Sequence, residues 1–190
     1  DLGDKERAAR AYNGVLRDAP EHAEAKEFLS DLYSSAERWA ELVTLYEREV
    51  KAAGSAGDAG RVGDMLQIAM LHWKKLEKPA DAEPWFERIR KVEPANPGML
   101  SFFREYCASL NDDSRLMEIL QAAARALPEG SKERTQLSSQ LGKMAEGQAN
   151  AQKAVEQYKS VLRQDPDNAE ARDALKRLYK QTQGYNALVE

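Results

Sequence analysis

The chain has 190 residues, 42% of them hydrophobic and 32% charged, with a mean hydropathy of −0.70. Its most apolar stretch, Met65 to Trp73, is broken by Gln67 and His72, far short of the ~20 apolar residues a membrane-spanning helix needs. The net charge of −4 has no basic stripe behind it, which disfavours a nucleic-acid partner, and one cysteine with two distant histidines builds neither an internal disulfide nor a closed zinc site.

Apolar residues recur at intervals of three and four along the whole chain, the period of helices with one buried face. Ala8, Tyr12 and Val15 mark the first helix, which Ala19-Pro20 ends. Leu29, Leu32, Tyr33 and Ala36 mark the second, and the run from Trp39 to Glu49 follows. Ala52–Gly60 is rich in glycine and reads as a linker. After the helix through Met65 and Trp73, Asp81 is expected to cap a helix carrying Ala82, Phe86, Ile89 and Val92, which places Pro84 in a tolerant first turn. Asn96 reads as an N-cap with Pro97 at the first helical position, and Asp112-Asp113 as the cap before Ser114. Breaks follow at Leu127-Pro128 and Asp165-Pro166, with Ser131–Arg134 as a second linker. The expectation is an all-α chain of eleven helices, the last one truncated.

Four prolines fix a repeat. The sets Ala8, Tyr12, Val15, Pro20; Ala82, Phe86, Ile89, Pro94; Leu116, Leu120, Ala123, Pro128; and Ala154, Tyr158, Val161, Pro166 share one spacing, and Pro94 to Pro128 spans 34 residues. This resembles the tetratricopeptide repeat (TPR), a helix-turn-helix unit of that length, and Leu141-Gly142 matches the family's Leu-Gly pair. The resemblance implies a right-handed superhelical solenoid forming one continuous domain. Its full units are 23–62, 63–96, 97–134 and 135–168, with half units at 1–22 and 169–190. A shift of 146 residues aligns Ala8–Val43 with Ala154–Val189, which suggests a piece of a longer array built from duplicated pairs. The Trp39–Glu49 run is similar in style to long TPR proteins of myxobacterial gliding motility.

Such a fold implies a non-catalytic scaffold for protein or peptide partners, or a structural spacer whose grooves bind nothing. No catalytic motif, cofactor site or metal site is read in the sequence. Cys107 is expected as a small buried hydrophobe, His22 as a turn residue and His72 as a packing residue. Asp165-Pro-Asp-Asn168 lacks the glycine and terminal glutamate of a calcium loop and reads as a turn. In TPR arrays the groove is lined by first-helix positions that fall here on Glu24, Glu27 and Asp31; Asp64, Gln67 and Lys74; Ser101 and Glu105; Ser139 and Lys143; and Asp173 and Arg177. Residues 1–50 carry twelve acids against seven bases, so Glu24, Glu27 and Asp31 are expected to meet a basic partner. Apolar end faces predict end-to-end self-association or fraying. Cytoplasm and periplasm both remain open as locations.

Overall fold

A computed structural model describes residues 2–19, 22–53 and 55–182. Pro20, Glu21, the expected eleventh helix and the far end of the long repeat lie outside the described residues. The chain divides into two compact units, Asp1–Glu93 and Pro94–Glu190. Among the described residues no strand occurs, and no helix is long and apolar enough to cross a membrane.

In the first unit, α1 (Leu2–Asp18) lies against α2 (Ala23–Ser35), α2 against α3 (Trp39–Ala53), α3 against α4 (Val62–Met70), and α4 against α5 (Pro79–Val92). In the second, α6 (Pro97–Leu110), α7 (Asp113–Ala126), α8 (Lys132–Gly147), α9 (Ala151–Gln164) and α10 (Ala169–Gln181) pack in the same consecutive order. Helices of this length are marginal alone in water, so packing decides them. Counted from the unit starts at 23, 63, 97, 135 and 169, each first helix buries the third and seventh positions: Ala25 and Leu29, Met65 and Ala69, Met99 and Phe103, Leu137 and Leu141, Ala171 and Leu175. Cys107 is fully buried, as expected of a small hydrophobe.

The helix starts follow side-chain chemistry. Asn96, Asp112, Ser131, Asn150 and Asn168 each accept a hydrogen bond from the backbone N–H three residues on, and His22 does so through Nδ1. These bonds satisfy donors that the first turn leaves open. Each first-to-second helix turn contains one left-handed residue: Glu37, Glu77, Asn111 and Ala149, with φ of 53°, 55°, 54° and 55°.

Four local expectations are corrected. Helix α5 starts at Pro79 with Lys78 before it, so Pro84 sits inside the helix and Asp81 is not its cap. Both expected linkers are helical. Ser55–Arg61 is a 3₁₀ segment, and Ser131 caps α8, whose first turn holds Lys132–Arg134. The first repeat set is also rotated. Ala9 and Leu16 are buried on α1, whereas Val15 is 36% exposed. Among the described residues, the main neighbour of α1 is α2, and the buried stripe of α1 faces it. By contrast α9 lies between α8 and α10, and its Ala154, Tyr158 and Val161 are fully buried.

Candidate functional site

Met70 ends α4 and Leu71–Lys75 form a π-helical turn, closed by the Leu76 N–H donating to the Leu71 carbonyl at 2.9 Å. The turn shifts the closing hydrogen bond without lengthening the repeat, since Glu77 follows Ala69 by eight residues just as Asn111 follows Phe103. After α2, α6 and α8 the closing bond spans five residues, from Arg38 N–H to Tyr33, Asp112 to Cys107 and Asn150 to Ala145. Here it runs from Lys78 N–H to the His72 carbonyl, six apart, at 2.8 Å. Single π turns inside α-helices recur at functional sites.

An apolar cleft of about 330 Å³ lies between α2, α3, α4 and this turn. Trp39, Leu42 and Tyr46 come from one face of α3, at intervals of three and four. Met70 and Leu71 face them, with Ser34, Gln67, Lys74 and Lys75 completing the lining. The Tyr46 hydroxyl is fixed 2.8 Å from Ser30 Oγ, and Lys75 Nζ lies 4.9 Å from the Trp39 ring centre. Lys74 Nζ lies 3.4 Å from the Trp73 ring centre. Two cations therefore edge an apolar floor, and among the described residues lining it there is no carboxylate.

The other expected groove residues fall in several places. Asp31 lines a separate cleft of about 530 Å³ with Lys5, Phe28 and Leu32. Glu24 is exposed and accepts from the Tyr12 hydroxyl at 3.2 Å, and its negative charge, aided by burial and that bond, raises the phenol's pKa. Glu27 is exposed, and Asp64 lies 3.4 Å from Arg61. Ser101 and Glu105 are exposed on α6, and Ser139 is half-buried on α8.

Lys143, Asp173 and Arg177 do converge, in a cleft of about 400 Å³ with Glu146, Tyr158, Glu170 and Ala174. The Tyr158 hydroxyl donates to Glu146 Oε1 at 2.8 Å, and Arg177 Nη2 donates to Glu146 Oε2 at 2.6 Å. Burial of Glu146 alone would raise its pKa, but those two hydrogen bonds and the arginine's charge hold it below the ordinary value. Burial, then the bond to Glu146, pushes the Tyr158 phenol well above its ordinary value. Lys143 pairs with Glu170 at 2.6 Å. These groups satisfy one another and tie α8, α9 and α10 together.

Position-by-position transfer of a groove missed Trp39, Tyr46, Met70 and Lys75. Trp39 and Tyr46 were legible as an i, i+7 pair on α3, a second helix that the transfer did not consult. The π turn has no signature in the spacing, which is the same in this unit as in the others.

Consecutive helix pairs, a left-handed residue in each turn and a frame of small and aromatic residues define the tetratricopeptide-repeat fold. No family model and no curated protein matches the chain. Among solved structures it is similar to YrrB, described as a TPR protein with an unusual peptide-binding site, at 19% identity over 92% of this chain and 85% of that one, with a TM-score of 0.50. A crystal structure of MamA aligns at 15% identity over 85% and 88% of the two chains, with a TM-score of 0.48. TTC0263, a thermophilic TPR protein of Thermus thermophilus, aligns at 14% identity over 93% and 91%, with a TM-score of 0.39.

Proposed function

We propose that this chain is a non-catalytic scaffold that binds a peptide segment of a partner protein in the cleft between α2, α3 and α4. The observation that carries this reading is the cleft's chemistry: aromatic and aliphatic side chains left partly exposed beside lysines, next to a π turn. Partly buried aromatics in a concave site are the residues that dominate binding energy. The peptide-binding site described for YrrB lends support by analogy of fold alone. The likeness of the Trp39–Glu49 run extends the proposal to a place in bacterial motility machinery.

The test selects binders from a displayed peptide library and measures them against a Leu71→Gln, Lys75→Gln variant. Leu71 is only partly buried, at the edge of the core, and Lys75 is exposed, so helix content should persist. Selected peptides should lose at least about tenfold in affinity, the scale of one or two anchor contacts. If no selected peptide depends on these residues, the chain is a spacer or binds elsewhere.

A further inference from the structure

Helices α7, α8 and α9 enclose a polar cleft of about 530 Å³ that the sequence reading did not anticipate. Arg125 of α7, Arg134 of α8, and Lys153 and Arg163 of α9 all line it, against one carboxylate, Glu156. Four cations thus face one anion in a chain whose net charge is −4. Arg134 is partly engaged, donating to the Leu127 carbonyl at 3.3 Å and lying 3.5 Å from Glu129. Among the described residues no carboxylate pairs with Arg125, Lys153 or Arg163, and all three are exposed. Like charges gathered without partners repel, and an anionic occupant relieves that repulsion.

We propose that this cleft binds an acidic, extended peptide segment of a partner protein. Its volume falls within the range of roughly 300–1,000 Å³ typical of ligand sites and is far larger than one phosphate needs. The cations come from three helices, an arrangement that suits carboxylates strung along a chain. The Gln121 and Gln157 amides line the same cleft and offer both donors and acceptors to a peptide backbone. No aromatic side chain is among the described residues lining the cleft, so a nucleic-acid strand would find no base-stacking platform. The site is separate from the apolar cleft of the first unit, and its test uses none of that cleft's residues.

The probe is a fluorescein-labelled peptide of about twelve residues alternating Glu and Ser, followed by anisotropy as salt rises from about 0.1 M to about 1 M, where the Debye length falls from about 10 Å to about 3 Å. Binding to the wild-type chain should weaken steeply over that range. Arg125→Gln, Lys153→Gln and Arg163→Gln together should reduce affinity at least about tenfold at low salt. The same number of cations removed from α1 by Arg7→Gln, Arg10→Gln and Arg17→Gln should leave it within about twofold. A charge-swapped variant, Arg125→Glu with Arg163→Glu, should lose the acidic peptide and gain a matching Lys-Ser peptide, which a misfolded protein would not do. Equal loss in the α1 variant would reduce the effect to net charge and overturn the proposal. So would a single-stranded oligouridine that binds about tenfold more tightly than the peptide and depends on the same residues.

Discussion

Gly142 stands where the second unit has no room for a side chain. A Cβ there would lie 2.8 Å from Tyr158 Cζ and 3.0 Å from both neighbouring ring carbons. The ring cannot yield easily, because Tyr158 is buried and its hydroxyl is held by Glu146. Alanine is the better helix former by about 1 kcal/mol, whereas overpacking a filled core costs roughly 1–3 kcal/mol. The clash should win, so Gly142→Ala is expected to destabilise the chain by about 1 kcal/mol or more, read from its urea midpoint. An unchanged midpoint would mean that the α8–α9 spacing adapts freely. The Leu-Gly pair was visible in the sequence, but its partner across the interface was not, since spacing names the notch and never what fills it.

The helix pairs were legible because their apolar period and their caps are local signals. Asn96, Asp112 and His22 took the turn and cap positions their chemistry favours. The misplaced start of α5 has an equally local cause, since Pro79 and Pro84 compete for the first helical position. Glu77 in the left-handed turn fixes where the helix begins, so Pro79 takes it and Pro84 remains inside, without the N–H that would reach Ala80. The left-handed turns themselves were invisible, because their residues are Glu37, Glu77, Asn111 and Ala149 rather than glycine. Left-handed backbone costs a side-chain-bearing residue about 1–2 kcal/mol, and glycine's extra chain entropy offsets about half of that. Ala149→Gly, at an exposed turn, is therefore expected to stabilise the chain by about 0.5–1 kcal/mol, whereas Ala149→Val should lower its stability. Thermal unfolding of both variants reads the two signs directly.

For the whole molecule, charge sets the conditions under which these helix pairs persist, and in each unit a carboxylate is held by an arginine distant in sequence. In the first, Asp58 of the 3₁₀ segment pairs with Arg88 of α5, whose Nε donates at 3.1 Å and whose Nη2 bonds the other oxygen. The Arg88 hydrogen bonds, assisted by the positive charge of Arg88 and Lys91, outweigh burial and hold Asp58 below the ordinary 3.8. In the second, Glu146 is likewise held below 4.5, although its burial acts in the opposite direction. This long-range pairing was not readable in the sequence, because Asp58 meets Arg88 thirty residues away through a segment that reads as a linker. A carboxylate whose pKa is lower in the folded state binds fewer protons there than when unfolded. Its stabilising contribution is thus complete above the unfolded value, and it disappears as pH falls through the lowered folded value. Stability contributed by these two groups should hold from neutrality to about pH 5 and decline below about pH 4. Asp58→Asn and Glu146→Gln should each be less stable than wild type at pH 7, with both differences shrinking as the wild-type carboxylate is protonated. Urea unfolding at several pH values measures this, in dilute solution because the isoelectric point is near 5.4. A difference that stays constant down to pH 3 would show that each carboxylate acts through packing instead of charge, since the loss would then be the same whether or not the group carries a proton.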